Sequence, residues 1–291
     1  MRWLSQTRYK VMLLLPCLVL YIAYIIAPIF LSFYYSFMRY SGIGKPRWIG
    51  LTNYRLLFSN PIFLNSIKNS FVIMVVSLAL LVPLSFFCAL LLNQKFPGTS
   101  VTQTLVFSPA IMAPIIVGLI WSYIFEPSYG LLNSLLSAVG LEHWTRQWIG
   151  GPTLTPYAVA IVYVWQQLGF YAAIFIAGLR SVPGELYESA HIDGASLWQQ
   201  TAYITVPMIK YVFTVVIIHV INGTLKIFEI VLQLTNGGPN HLSETMVTYG
   251  YSMTFTNGRY GYGMAMTVIN FVICIGFSIA YLALVREKQQ A

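Results

Sequence analysis

The sequence predicts an all-α, polytopic membrane protein, and two observations support this fold class. Hydrophobic residues make up 57% of the 291 positions and charged residues only 8%, whereas a soluble domain has about 25% charged residues. In addition, six apolar runs approach or exceed the roughly 20 residues that a helix needs to cross a bilayer. These runs cover residues 11–37, 70–93, 104–125, 156–179, 208–234 and 261–285.

The first run follows the basic segment MRWLSQTRYK. It is about twice as long as the apolar region of a cleaved signal peptide, so it is predicted to be an uncleaved first transmembrane helix. Residues 1–69 are therefore assigned to this helix and an external amphipathic segment, and residues 70–291 to a core with five transmembrane helices. Six spans place both termini on one face, but basic residues divide almost equally between the faces. The positive-inside rule therefore does not fix the orientation.

Several classes of chemistry are disfavoured. The basic residues are dispersed rather than clustered, which argues against binding of nucleic acid. The fragment Ser41-Gly42-Ile43-Gly44-Lys45-Pro46 lacks the spacing and the hydroxyl of a phosphate-binding loop, so no nucleotide site is predicted. The three cysteines lie in separate apolar runs and fit buried packing better than a metal site or disulfides: Cys17, Cys88 and Cys274.

The loop 180–207 is unusual because it concentrates ionisable residues in a chain that has few of them. Glu185, Glu188, His191 and Asp193 fall within nine positions. Glu188 and His191 share a helical face, but a di-iron bundle needs a second such pair and two further glutamates. The spacing of zinc proteases is also missing. No catalytic residue and no metal ligand is predicted here.

The loop has the pattern of two short helices joined by a turn. Residues 185–192 form two helical turns in this interpretation, and Gly194 provides a left-handed break. Ser196 is predicted to cap a second helix that runs through Ile204, and Pro207 to open the next span. A solvated connecting loop is the alternative, but this segment is longer and more helical than a connection requires.

This loop resembles the EAA loop of ABC-importer permeases. That pattern is Glu-Ala-Ala, three residues, Gly, nine residues, and then Ile-x-Leu-Pro. The chain has Glu188-Ser189-Ala190, Gly194 and Ile204-Thr205-Val206-Pro207 at the same spacing. Serine replaces the middle alanine and valine replaces leucine, and neither change alters the small or apolar character of its position.

Further segments resemble the maltose-type first permease of carbohydrate-uptake systems. Lys226-Ile227-Phe228-Glu229 and Leu234-Thr235-Asn236-Gly237-Gly238-Pro239 are similar to its Phe-Lys-x-Phe-Asp and Leu-Thr-x-Gly-Gly-Pro segments, with glutamate in place of aspartate. The segments 49–54, 192–195 and 260–266 also match, so the resemblance extends over about residues 11–286.

The resemblance implies the type I permease fold of ABC importers and a non-enzymatic transport subunit in the bacterial cytoplasmic (inner) membrane, with both termini cytoplasmic. It implies four kinds of partner besides lipid: a second homologous permease, two ATPase subunits that bind ATP and Mg, an external solute-binding protein and a sugar. The chain itself is expected to bind no cofactor. The loop 180–207 becomes cytoplasmic and couples to the ATPases. Its coupling residues are Glu185, Glu188, Ser189, Ala190, His191, Asp193, Gly194, Ile204 and Pro207.

The solute path is expected along spans four and five, where polar residues recur at helical spacing. Aromatic faces, amides and hydroxyls suit a neutral sugar. The candidates are Trp165, Gln166, Gln167, Tyr171, His219, Asn222, Gly223 and Thr224. Lys226 and Glu229 are predicted to form a structural ion pair at the end of span five.

Two alternatives remain open. A permease for glycerol phosphate or another polyol would need a cation near the path, and Lys226 is the one basic residue clearly embedded in an apolar run. A secondary transporter would need inverted repeats and an ion site at the midplane, and the sequence indicates neither.

Overall fold

The computed structural model describes residues 7–94, 97–151 and 153–290. The structure is almost entirely helical, which confirms the predicted all-α class. Four helices are long and apolar enough to cross a membrane, and two bent helix pairs raise the number to as many as six. Residues 1–6 and 291, on which the predicted placement of the termini partly rests, lie outside the described residues.

The chain divides into two compact units, and the first consists of residues 1–61 and 249–271. It contains the first span, Lys10–Ser36, and no residue in the most apolar part of this span is buried by the rest of the described chain. A π-helical turn, Ile22–Ile26, separates its two α-helices, α1 (Thr7–Tyr21) and α2 (Ala27–Ser36).

A short antiparallel hairpin follows α2 in the first unit. Its strands are β1 (Met38–Arg39) and β2 (Arg47–Trp48), with Arg39 opposite Arg47. The amphipathic helix α3 (Thr52–Phe58) comes next. Its buried Asn53 donates to the carbonyls of Ser36 and Met38 at 2.8 and 2.9 Å and so fixes the hairpin against the end of α2.

The second unit contains residues 62–248 and 272–291. Its second and fourth spans are continuous helices, α4 (Pro61–Leu92) and α8 (Thr155–Leu179). α4 begins nine residues before the predicted run, because Pro61 suits a first helical turn and the polar residues after it extend the helix beyond the apolar segment.

Aromatic rings and small residues hold the helices of this unit together. Phe86, Phe175 and Phe213 place three rings with centroids 4.7–5.5 Å apart between the second, fourth and fifth spans. A Cβ atom at Gly169 would overlap the backbone at Val106, and one at Gly178 would lie 2.7 Å from Val212. Close backbone approach at small residues is the usual basis of helix packing in membranes.

The third span was predicted as one helix and is broken. Its halves are α5 (Thr99–Ile111) and α6 (Pro114–Ile124), which are bent by 101°. Pro114 disfavours a helical conformation at the preceding residue, and Ala113 is extended. Gln166 of α8 donates to the carbonyl of Met112 at 3.0 Å and satisfies the backbone at the break.

The fifth span, predicted over 208–234, is also interrupted. α10 (Leu197–Gln200), the π-turn Thr201–Thr205 and α11 (Val206–Met208) precede a 71° bend at Ile209. α12 (Lys210–Leu225) then ends, and α13 (Glu229–Thr235) packs on α6. Gly118 allows this contact, because a Cβ there would lie 2.9 Å from Gln233.

Four further α-helices belong to the described part of the chain. α14 (Met246–Tyr251) leads through the π-turn Ser252–Thr256 to the sixth span, which lies in α15 (Tyr260–Gln290). Between the fourth and fifth spans lies α9 (Gly184–Ile192), and α7 (Leu131–Ala138) lies between the third and fourth.

Candidate functional site

The loop 180–207 folds as two short helices joined by a turn. α9 begins after Pro183, and Gly194 has a φ of +81° with open space around it, so glycine is favoured there by backbone conformation alone. Ser196 forms a capping box with Gln199 at the start of α10. The predicted cap and left-handed break are therefore confirmed.

The ionisable side chains of this loop all face outwards. Glu185, Glu188, His191 and Asp193 are exposed, and none makes an ion pair with another described residue. Large apolar side chains on the same loop are exposed as well. They are Ile192, Leu197, Trp198 and Tyr203, each at least 69% exposed. Charged and apolar groups that lack partners within one chain are typical of a surface that binds another protein.

The opposite side of the loop is fastened to the second unit. The hydroxyls of Tyr187 and Thr205 are 2.9 Å apart and join α9 to the π-turn that begins the fifth span. Tyr187 and Ile204 also pack against the hydrophobic core. A direct side-chain contact therefore joins α9 to the start of the fifth span.

Pro207, which the sequence predicts to open the fifth span, lies in the first turn of α11. It is exposed inside α11, and the bend falls two residues later at the buried Ile209. A proline is favoured in the first turn of a helix, so it starts α11 without ending it. The other predicted coupling residues are exposed or half-buried along α9 and its turn: Ser189, Ala190 and Gly194.

The predicted path residues of the fourth span differ in exposure. Trp165 is 37% exposed and Gln167 is half-buried. Gln166 and Tyr171 are each 1% exposed. The side chain of Gln166 donates a hydrogen bond to the backbone at the break in the third span. The hydroxyl of Tyr171 forms a 3.0 Å hydrogen bond with Nδ1 of His219. The amide nitrogen of Gln166 thus bonds the backbone of a neighbouring helix, and its place in the solute path stays a prediction.

The predicted path residues of the fifth span also differ in exposure. His219 is exposed, and Asn222 bridges to Ser278 of α15 at 3.0 Å. Thr224 is fully buried and donates to carbonyls of its own helix, and its contact with solute stays a prediction. Gly223 lies against Tyr163, whose hydroxyl would overlap any Cβ there. Glycine at this position permits packing between the fourth and fifth spans.

The structure adds one residue that the sequence pattern did not single out. Phe170 is 42% exposed, and its ring centroid lies 5.6 Å from that of His219. Tyr171 also packs against the imidazole, edge-on with ring centroids 5.7 Å apart. Phe170 is five residues after Trp165, which is not a helical repeat, so periodicity did not identify it.

The predicted ion pair between Lys226 and Glu229 does not form within the described residues. The sequence interpretation placed both on one continuous helix. Instead, α12 ends at Leu225 and α13 starts at Glu229, so the three-residue helical spacing is lost. Both side chains are exposed.

The segment 236–248, with its Gly-Gly-Pro sequence, contains a buried carboxylate that the sequence analysis missed. Glu244 is 4% exposed, accepts a 2.5 Å hydrogen bond from Thr248 and lies 3.2 Å from Nδ1 of His241. Asn69 of α4 donates to the carbonyls of Leu242 and Glu244 at 2.7 and 3.0 Å. The segment is thus fixed to the start of the second span.

These features define a multi-pass, helical membrane permease with an exposed loop between its fourth and fifth spans. The chain belongs to the family described as binding-protein-dependent transport system inner membrane component, which matches residues 81–290.

Relatives in other organisms share nearly the whole length of the chain. It is 33% identical to the trehalose/maltose transport system permease protein MalF of Thermococcus litoralis, over 98% of this chain and 96% of that protein. It is 32% identical to the probable ABC transporter permease protein YurN of Bacillus subtilis, over 91% and 92%.

A solved structure shows the same fold. It is the crystal structure of a bacterial ABC transporter involved in import of the acidic polysaccharide alginate, and it superimposes with a TM-score of 0.83. The match covers 98% of both chains at 24% identity. The predicted permease fold is confirmed.

Proposed function

We propose that this chain is a permease subunit of an ATP-driven ABC importer for a sugar or oligosaccharide, and that it forms half of the translocation path. The observation that carries the coupling role is the exposed, partnerless surface of α9 and α10 on a loop bonded to the fifth span. The carbohydrate class is supported by relatives whose names refer to trehalose/maltose and diacetylchitobiose uptake.

In this proposal α9 enters a groove of a cytoplasmic ATPase subunit. Ala190 keeps α9 narrow, as helix-in-groove binding requires, and Gly194 forms the turn that ends it. Glu188 forms ion pairs with basic groups of the ATPase. Glu185 lies in the first turn of α9, where the helix dipole favours a negative charge. When ATP brings the ATPases together, the movement of α9 passes through Tyr187 and Thr205 into the fifth span.

The remaining parts of the proposal follow from this arrangement. ATP and Mg are bound by two partner ATPases, and a second permease completes the path. An external binding protein delivers the solute, by analogy with the bacterial alginate ABC transporter, whose crystal structure contains an alginate pentasaccharide-bound periplasmic protein. The protein lies in a bacterial inner membrane with both termini cytoplasmic. Within the path, exposed Trp165, Phe170 and His219 offer the aromatic and polar faces that suit a sugar.

The decisive experiment is co-purification of the chain with its ATPase. We expect Glu188→Lys to remove the ATPase from the purified complex and to abolish uptake, because it reverses an exposed charge at the contact. Glu142→Lys is the matched control, since Glu142 is exposed on a different loop and is expected to have no effect. A stable, transport-competent complex that lacks any ATPase would refute the proposal.

Orientation has its own test. In a background without native cysteines, His191→Cys is expected to react only with reagents added to the cytoplasmic side, and His143→Cys only with reagents added outside. Both histidines are exposed. The reverse pattern would contradict the assignment of α9 to the cytoplasm.

The solute class is tested on the partner binding protein by thermal shift. We expect stabilisation by a sugar or oligosaccharide. Stabilisation by glycerol phosphate or another polyol alone would favour the first alternative. Uptake driven by a proton or sodium gradient without ATP would favour a secondary transporter.

A further inference from the structure

The first unit carries a basic concavity that the transport mechanism does not use. It lies between the β1–β2 hairpin, α3 and the start of α15, and its volume is about 820 Å³. Four basic residues line it, all with exposed side chains: Arg39, Lys45, Arg47 and Arg259. No aspartate or glutamate lines it.

The charge of this concavity is not neutralised by its own unit. Residues 1–61 and 249–271 contain no aspartate and no glutamate at all. Arg39 and Arg47 are directly opposite each other on paired strands, which concentrates their charge. Within the described chain none of the four cations has a carboxylate partner. Their counter-charge must therefore come from a ligand or from solution.

A second cavity in the same unit is apolar and shares α15 with the first as part of its wall. This groove of about 240 Å³ lies between α2 and α15, with Ile29, Phe33, Val268 and Phe271 in its walls. Its two hydroxyls are satisfied internally, because Ser32 donates to Pro28 and Thr267 donates to Gly263. The groove therefore presents apolar surface only.

The spacing of the two cavities matches a lipid. Thr267 and Phe271 lie 8 and 12 residues along α15 from Arg259. At a rise of 1.5 Å per residue this separation is about 12–18 Å, close to the length of an acyl chain. Ile43, Trp48 and Leu51 are at least 62% exposed beside the basic residues, as expected at a membrane–water interface.

We propose that this unit binds an anionic phospholipid, with the phosphodiester headgroup in the basic concavity and an acyl chain in the apolar groove. An acidic protein surface as the ligand would account for the four basic residues. It would not account for the apolar groove between α2 and α15. The proposal does not depend on which solute is carried.

Native mass spectrometry of the full-length chain tests this directly, with equimolar phosphatidylglycerol and phosphatidylcholine. We expect phosphatidylglycerol to be retained preferentially. Arg39→Gln combined with Arg47→Gln is expected to weaken its binding roughly thirtyfold, because each basic residue near an anionic surface contributes about a factor of five. Arg55→Gln is the matched control, since Arg55 is exposed on α3 and does not line the concavity.

Two further variants separate the parts of the site. Ser32→Phe fills the groove and is expected to weaken phosphatidylglycerol binding without changing the binding of soluble glycerol phosphate. Should the double variant fail to fold, Lys45→Gln in the exposed hairpin loop is expected to weaken lipid binding about fivefold.

Three results would overturn the proposal. One is equal retention of the two lipids, and another is an equal effect of Arg55→Gln. The third is a double variant that keeps its phosphatidylglycerol but loses affinity for the external binding protein, which would make the concavity a protein-docking surface.

Discussion

Glutamate and histidine have opposite environments in two loops of this permease, the loop 180–207 and the segment 236–248. On α9 and its turn, Glu185, Glu188 and His191 are exposed and have no ion-pair partner among the described residues. In the segment 236–248, Glu244 is buried and hydrogen-bonded to Thr248 and His241. The comparison shows that an acidic residue in a membrane protein loop indicates a partner only when the chain itself does not bond it.

The largest effect on stability is expected at Glu244. Glu244→Ala leaves Thr248 and His241 without their buried acceptor, and each hydrogen bond to a charged group contributes about 1.5–3 kcal/mol. The thermal midpoint of the purified permease should fall markedly. Glu244→Gln keeps an acceptor and should cost less, and an unchanged midpoint for both variants would contradict a structural role.

The glycines of the two loops provide the next comparison. Gly237 and Gly194 have φ values of +73° and +81°, so alanine at either position is strained by roughly 1–2 kcal/mol. A Cβ at Gly237 would also collide with the carboxylate of Glu244, whereas the space at Gly194 is open. Unfolding measurements should therefore show Gly237→Ala as the more destabilising. Gly184→Ala, with open space and no positive φ, serves as control.

A smaller effect is expected at the cap of α10. Ser196→Ala removes the hydroxyl that accepts from the Gln199 N–H, which costs about 1 kcal/mol, while the bond from the Ser196 N–H to the Gln199 side chain remains. Protease sensitivity of the loop should rise, because the helix start frays. Ser196→Asp retains a capping acceptor and should restore resistance, while fraying in both variants would argue against the cap.

The smallest effect on stability is expected at Glu188. Its side chain is exposed, so Glu188→Gln should leave the thermal midpoint unchanged. Uptake, in contrast, should fall because the carboxylate is proposed to bind the ATPase. A lowered thermal midpoint of this variant would mean that Glu188 stabilises the fold as Glu244 does. The two loops would then not differ in this way.

Local patterns in the sequence predicted the structure of the loop 180–207 well. The cap at Ser196 and the turn at Gly194 depend on short-range backbone chemistry, which a single sequence specifies. The continuous first, second, fourth and sixth spans likewise follow from the length of their apolar runs.

Features that depend on neighbouring helices could not be predicted in the same way. The break after Ile111 is stabilised by Gln166, which lies 54 positions from Met112 along the chain. Gly223 follows the same helical stripe as His219, but it lies against the hydroxyl of Tyr163. Periodicity identifies a stripe, yet it does not show which of its members packing covers.

The bond from Gln166 to Met112 also has a consequence for biogenesis. The third span enters the membrane before the fourth has been synthesised, and at that stage the carbonyl of Met112 lacks its amide partner. An unsatisfied carbonyl in hydrocarbon is costly. The third span is therefore expected to acquire its bent shape only when α8 arrives beside it, so that insertion of these two helices is a single cooperative step.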